Sequence, residues 1–375
     1  MNRLSPAAID LAPGEVPVVT LVKNEMGFLP HFLRHYRKLG VASFIFIDNG
    51  STDGSLEFLL AEDDCHVFQE LGAFRAANYG IDWVNEVANA HCVGRWSAFV
   101  DCDELLVYRD CETVPLADFC AGFTARGFDK VGGAMIDMYP DGDFLAVSLG
   151  PQDDLLEVMG NFDSDYVFRA WPRRPWDAEP ESFHLQVLGG PRLRLLSDLG
   201  AEAGHGALYY TLCNQVDRFI DKVPLSWVGP IAALWPMEMP AQQKWPINFV
   251  RPGFAFANSH ANRNTAPADE FVSLLHFKLC DELRKRVQQN TLMEAHYRRG
   301  LSYEQLRRAV LRWGPKPLVY EGTRRFRSSK DLEAIGLIGP AVAGLWSGKA
   351  RTEVRTPLGD SGRAYALAAA SQSAA

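Results

Sequence analysis

Asp101 and Asp103 stand one residue apart at the end of an apolar run, Ser97-Ala98-Phe99-Val100. Carboxylates delivered at the carboxyl end of a strand enter the crevice where open α/β sheets take their ligands. A hard divalent cation held by such a pair would in turn hold a diphosphate. Alone, an Asp-x-Asp is more often an ordinary solvated turn, so the elements that position the pair carry the decision. Cys102, between the two acids, is expected to point inward as a small apolar residue.

Those elements alternate. Val16 to Val22 is a β-rich run, and Phe28, Leu29, Phe32, Leu33, Tyr36 and Leu39 follow at helical spacing, closed by Gly40. Ser43 to Ile47 reads as a second strand ending at Asp48-Asn49-Gly50-Ser51-Thr52-Asp53-Gly54, whose Ser, Thr and Asp suit the cap of a short helix from Ser55 to Leu60. A weaker strand lies near His66 to Phe68. Helical spacing then runs from Phe74 to Ala90, and Trp96 to Val100 is the next strand. This order predicts an α/β fold with a mainly parallel, Rossmann-type sheet flanked by helices, since parallel neighbours need crossover connections.

The first strand is followed by Lys23-Asn24-Glu25 and not by a Gly-x-Gly-x-x-Gly turn, which disfavours a nicotinamide or flavin enzyme. Without backbone donors from a glycine turn, a bound diphosphate needs another source of positive charge. A cation on the Asp-x-Asp would supply it.

Three segments together, Val18-Val19-Thr20-Leu21-Val22-Lys23-Asn24-Glu25, Asp48 to Gly54, and Phe99-Val100-Asp101-Cys102-Asp103-Glu104, resemble the nucleotide-sugar domain of family-2-type glycosyltransferases of the GT-A fold. Gly189-Gly190-Pro191-Arg192, Asp221-Lys222-Val223-Pro224-Leu225 and Leu274-Leu275-His276-Phe277-Lys278 look like segments of a small soluble branch of that superfamily, so the resemblance spans most of residues 16–310. It implies that Thr20, Asn24, Glu25, Asp48 and Asp53 contact base and ribose, and that Asp101 and Asp103 bind Mn²⁺ or Mg²⁺ and the diphosphate. One departure is Asp48-Asn49, where many relatives carry two consecutive acids. Many such enzymes complete the metal site with a late histidine, which points to His276, with His260 as the substitute and Lys278 as a diphosphate contact. An inverting mechanism, also implied, needs a carboxylate to deprotonate the acceptor hydroxyl. Asp137 is the first choice, followed by Asp163 and Asp165.

The implied activity is transfer of a sugar from a nucleoside-diphosphate sugar, more specifically UDP-linked, to a hydroxyl of a glycan or a lipid-linked precursor. Processive relatives carry Gln-x-x-Arg-Trp and membrane helices. The nearest string here is Gln242-Gln243-Lys244-Trp245, so a single addition is expected. A nucleotidyltransferase, or a non-catalytic nucleotide-binding or scaffolding protein of the same fold, are the rivals; the first should carry a Gly-rich basic loop after the first strand.

Composition fits a folded, cytoplasmic chain. The 375 residues are 47% hydrophobic, enough for one GT-A-like unit with additions. Expected boundaries are an N-terminal extension (1–15), a nucleotide-sugar-binding part (16–130), an acceptor-side part with closing helices (131–348) and a disordered tail (349–375). No apolar run reaches the ~20 residues of a membrane span. Peripheral membrane contact is left open. Seven scattered cysteines argue against a disulfide framework and a structural zinc site. A net charge of −8 argues against nucleic acid as a partner. Arg307, Arg308 and Arg312, on an expected helix, and the cluster Arg324, Arg325, Arg327, Lys330 read first as solvated faces and second as an acceptor patch, and Asp281 to Val310 reads as helical. Residues 150–260 lack clean periodicity and suit the acceptor side; Trp171, Trp176, Trp227, Trp235 and Trp245 read as core.

Overall fold

The computed structural model describes residues 1–172, 183–197, 224, 226–227, 242–258, 261–280, 283, 301–341 and 352–355. Its strands in chain order are β1 (Asn2–Arg3), β2 (Val18–Val22), β3 (Phe44–Asp48), β4 (Cys65–Gln69), β5 (Trp96–Phe99), β6 (Glu104–Val107), β7 (Lys130–Asp137), β8 (Asn161–Asp163) and β9 (Tyr166–Pro172). Then follow β10 (Phe183–Gly189), β11 (Gln243–Phe249), β12 (Phe256–Asn258), β13 (Ala261–Asn262), β14 (Pro267–His276), β15 (Thr323–Arg325), β16 (Gly339–Pro340) and β17 (Thr352–Arg355). The helices are α1 (Leu29–Lys38), α2 (Ser55–Leu60), α3 (Ile81–His91), α4 (Leu116–Ala125), α5 (Leu155–Val158), α6 (Gly190–Ser197), α7 (Leu301–Trp313) and α8 (Ser329–Glu333).

One ten-stranded sheet runs β1-β4-β3-β2-β5-β11-β7-β14-β16, with β6 also paired to β14. Strands β4, β3, β2, β5, β7 and β14 share one direction, and β1, β11, β6 and β16 oppose them. The expected α/β layering is therefore present, but the sheet is mixed. Strand β11 inserts antiparallel between β5 and β7, so residues from both sequence halves share one sheet.

The near-continuous apolar runs of β2 and β3 follow from burial on both faces. Val18, Val22, Phe44 and Phe46 pack with Phe28, Phe32, Leu33 and Tyr36 of the α1 side. The alternate residues Val19, Ile45 and Ile47 pack with Ile81, Val84 and Val87 of α3. Each fully buried Phe, Leu or Ile contributes roughly 1.5–3 kcal/mol. Gly40 closes α1 as expected: its φ is +82°, its N–H reaches Arg37 O at 3.0 Å, and Val41 N reaches Tyr36 O at 3.1 Å.

The structure differs from the sequence reading in several places. The helix expected from Phe74 begins only at Ile81, because Asn78, Tyr79 and Gly80 all take positive φ and interrupt the spacing. Within the expected N-terminal extension, Asn2 and Arg3 pair with Gln69 and Phe68 of β4. Residues Thr352–Arg355, expected within a disordered tail, form β17 and pair with β9. The region 150–260 holds regular β8 to β12 and α6. Trp227 is exposed, whereas Trp245 is buried beneath the Lys130 ammonium, 3.9 Å from the ring centre. Trp176, Trp235 and most of 281–300 lie outside the described residues, and so does the Trp171 side chain. Of the expected late helix, Leu301–Trp313 is present as α7.

Candidate metal centre and its ionic support

Four adjacent strands end at one edge of the sheet: β5, β7 and β14 with their carboxyl ends, and antiparallel β11 with its amino end. Between β5 and β6 the chain turns through Asp101-Cys102-Asp103. Glu104 N–H donates to Asp101 O at 3.1 Å, and Asp101 N–H donates back to the Glu104 carboxylate at 3.1 Å. Cys102 is buried as expected, its thiol 3.8 Å from Leu21 O at the end of β2. Helix α1 fixes the exit of the turn: Tyr36 OH donates to Glu104 O, accepts from Leu106 N, and His35 Nε2 donates to Leu106 O at 2.8 Å.

The two aspartates diverge. The Asp101 side chain is 60% exposed, while that of Asp103 is 20% exposed. His276 sits at the end of β14, in register with Asp137 of parallel β7 on one side and Glu104 of β6 on the other. Its Nε2 lies 3.4 Å from Asp103 Oδ2. Asp103, Glu104 and His276 each present a ligand atom within 4.8 Å of the others. The expected pairing of Asp103 with His276 is therefore brought together in space. Glu104 is the third member of the cluster, where the sequence reading had Asp101.

Lys244 was missed as a site residue. It enters from the start of β11, its Nζ 2.7 Å from Asp101 Oδ2 and 2.6 Å from Glu104 Oε1. Arg192, quoted in Gly189-Gly190-Pro191-Arg192 without a role, is the second cation: its Nε donates to Asp137 Oδ2 at 2.6 Å. The local signal for Arg192 is the glycine pair. Gly189 and Gly190 have φ of +153° and +78°, and a Cβ would stand 2.4 Å from Asp165 O at the first and 2.8 Å from Tyr166 OH at the second. Only glycines let α6 start against this edge, and from there Arg192 and Arg194 reach Asp137 and Asp163.

The electrostatics follow from burial against pairing. Burial alone would raise the Asp103 carboxyl, but His276, Lys278 and Lys244 outweigh it and hold it well below the usual range. Asp137 is likewise desolvated, yet Arg192 and His276 bring it down to about 2. Burial pushes Glu104 up despite Lys244. His276 would fall on burial, but the neighbouring Asp103 and Asp137 raise it. Four carboxylates (Asp101, Asp103, Glu104, Asp137) face three cations (Lys244, Arg192, Lys278), and a protonated His276 balances the fourth. A divalent cation here would take the place of the His276 proton between Asp103 and the ring.

None of the three expected base candidates is a freely aimed carboxylate. Asp137 has no exposed surface and spends its oxygens on His276 and Arg192. Asp163 is buried, paired with Arg194 at 2.8 and 2.9 Å, and accepts from Tyr139 OH at 2.7 Å. Asp165 is half-buried and accepts from Tyr320 OH at 3.2 Å. Using either of the first two as a base would break a buried ion pair.

The residues expected to meet base and ribose bind one another. Asp48 accepts from Gly50 N at 3.0 Å and Ser51 N at 3.1 Å, and receives Gln69 Nε2. Asn24, at φ +59°, receives Thr52 N at 2.7 Å on its side chain and donates its own N–H to Ser51 Oγ. Asp53 accepts from Met26 N and from both N and Oγ of Ser55. Glu25 N donates to Ser55 Oγ at 3.0 Å. Thr20 lies within β2, 2% exposed, its hydroxyl without a partner among the described residues. Lys278 falls two residues beyond β14, half-buried, and its charge acts on Asp103. His260 and all of Asp221-Lys222-Val223-Pro224-Leu225 except Pro224 lie outside the described residues.

The later basic cluster borders a separate cleft of about 350 Å³ lined by Arg324, Arg325, Arg327, Thr323 and Phe162. Arg325 is braced by Asp141 at 3.5 Å, and exposed Lys330 by Asp110 at 2.8 Å. On α7, Arg307 pairs with Glu304 of its own helix. The six described cysteines are buried free thiols, as expected without a disulfide framework. No helix among the described residues is long and apolar enough to cross a membrane.

Compared with known proteins, the chain matches no family model and no curated sequence. Any functional assignment therefore stands on these residues. The cluster of Asp103, Glu104 and His276 could hold a divalent cation, with Asp103 and His276 the freer donors, since Glu104 is engaged by Lys244 and Asp101 N–H.

Proposed function

We propose that the protein is a metal-dependent glycosyltransferase of the GT-A type, moving a sugar from a nucleoside-diphosphate donor, UDP-linked by preference, to a hydroxyl on a glycan or lipid-linked acceptor. The observation that carries this reading is the convergence of Asp103, Glu104 and His276 at the strand ends. A parallel unit, β4-β3-β2-β5, lies directly beside it. When bound, Mn²⁺ or Mg²⁺ would neutralise charge developing on a diphosphate leaving group.

The chain's own residues divide the work. Asp103 and His276 face the cation position, and Glu104 closes the turn while holding Lys244. Exposed Asp101 holds Lys244 jointly with Glu104 on the donor side of the turn. The stitched loops after β2 and β3 form a rigid wall on the nucleotide side. Asp165, bonded only to Tyr320 among the described residues, is the one base candidate able to accept a proton without breaking an ion pair. With Lys244 where a Gln-x-x-Arg-Trp arginine would be sought, the reading remains a single-addition enzyme, working in the cytoplasm.

Incubation with UDP-sugars and Mn²⁺ checks the activity. The expected result is slow UDP release that stops with EDTA and, given an acceptor, a product heavier by one sugar. Absence of turnover and of binding for every nucleoside-diphosphate sugar would contradict it. A ladder of additions would overturn the single-transfer part alone.

A further inference from the structure

We infer that Asp137, backed by Arg192, is a positioning residue that fixes the imidazole of His276 with its proton on Nδ1 and its Nε2 lone pair turned toward Asp103. His276 Nδ1 lies 2.6 Å from Asp137 Oδ1, and Arg192 Nε lies 2.6 Å from Asp137 Oδ2. Gln242 Nε2 approaches the same Oδ2 at 3.4 Å. A carboxylate can only accept, and each ring nitrogen faces one; Asp137 at 2.6 Å holds Nδ1 far more closely than Asp103 at 3.4 Å holds Nε2, so the single proton of the neutral imidazole belongs on Nδ1. Both Asp137 oxygens are then occupied, and its surface is closed to solvent. Turning the ring over would leave Asp137 Oδ1 buried without its donor, while Arg192 stays on Oδ2.

The arrangement is specified from three directions. Parallel register sets His276 beside Asp137. The Gly189-Gly190 start of α6 brings Arg192 onto the far carboxylate oxygen. The amino end of β11 carries Gln242 to that same oxygen. Metal-binding histidines commonly use such a second carboxylate to fix tautomer and orientation. Asp137 thus acts through His276 and not on an acceptor hydroxyl.

The cation half of this inference rests on the function proposed above, while the tautomer half does not. Long-range ¹H–¹⁵N spectra of metal-free protein, followed upward in pH until the His276 ring signals show the neutral imidazole, read the tautomer directly. The wild type is expected to show the Nδ1–H form of His276. Asp137→Ala should shift it toward the usual Nε2–H mixture, and isosteric Asp137→Asn keeps the comparison available if the alanine variant does not fold. An Nε2–H ring in the wild type, or an unchanged tautomer in both variants, would overturn the inference. A Mn²⁺ titration forms the second arm, with Asp137→Asn binding about 10–100-fold more weakly while circular dichroism stays unchanged. Undiminished Mn²⁺ affinity in that variant would remove the metal role. Failure of the wild type to bind Mn²⁺ would refute the cation reading and leave the tautomer result standing.

Discussion

Two neighbouring loop systems at the same sheet edge are held by different physics. The loops after β2 and β3 are joined by short hydrogen bonds, almost all between a backbone N–H and a side-chain oxygen: Asn24 to Ser51 and Thr52, Glu25 to Ser55, Met26 to Asp53. The ends of β5, β7, β11 and β14 are joined by charges drawn from far apart in the chain, Lys244 to Asp101 and Glu104, Arg192 to Asp137, His276 to Asp103. The first system can lose one bond and keep its shape. The second is cooperative, because removing one charge strands another in a desolvated place.

That contrast predicts unequal losses. Arg192→Met should cost about 3–5 kcal/mol in urea unfolding, since Asp137 keeps its charge with no exposed surface. A loss under about 1 kcal/mol would show that water reaches Asp137 and that the ionic system is looser than drawn.

An intermediate effect comes from the clamp of α1 on β6. His35 donates Nε2–H to Leu106 O, and burial lowers its pKa to about 4. Below about pH 6.5 the unfolded chain takes up a proton that the folded ring refuses, so stability falls with pH until about 4. The ring keeps some contact with water, so the loss between about pH 7 and pH 5 is taken as about 1–2 kcal/mol. His35→Gln keeps a donor for Leu106 and should flatten that part of the stability–pH curve. An unchanged slope would place the titration elsewhere.

The smallest effect belongs to the hydrogen-bonded loops. Asp53→Ala removes acceptors for Met26 and Ser55 and should cost about 1 kcal/mol, with little dependence on salt. A loss as large as that of Arg192→Met would erase the distinction between the two systems.

The same division explains what could be read in the sequence. Periodicity located β2, α1, β3, α2, β4 and β5 because each is a local pattern buried on a definable face. Asp48-Asn49-Gly50-Ser51-Thr52-Asp53-Gly54 reads as a helix cap; Gly54 takes the N-cap position, and Asp53 accepts from Ser55 N just inside the helix. Lys244 and Arg192 were not legible as site residues, since their partners lie 143 and 55 positions away. Their placement depends on β11 inserting antiparallel, which has no one-dimensional signature, and on α6 starting at Gly189-Gly190, which is visible in the sequence but does not say which carboxylate Arg192 will meet. Asp137 was found as an important carboxylate, but a sequence cannot say whether a strand-end acid faces solvent or a buried imidazole. The Phe74–Gly80 stretch misled because helical spacing of apolar residues says nothing about the positive φ of Asn78 and Tyr79.

Calorimetric titration of UDP into the protein, with Mn²⁺ and then with EDTA, measures the central claim most directly. The account predicts that UDP binds only with the ion, and that Asp103→Asn weakens ion-assisted binding by about tenfold or more while leaving the fold intact. EDTA-treated protein that binds UDP as tightly as the Mn²⁺-loaded form would contradict it.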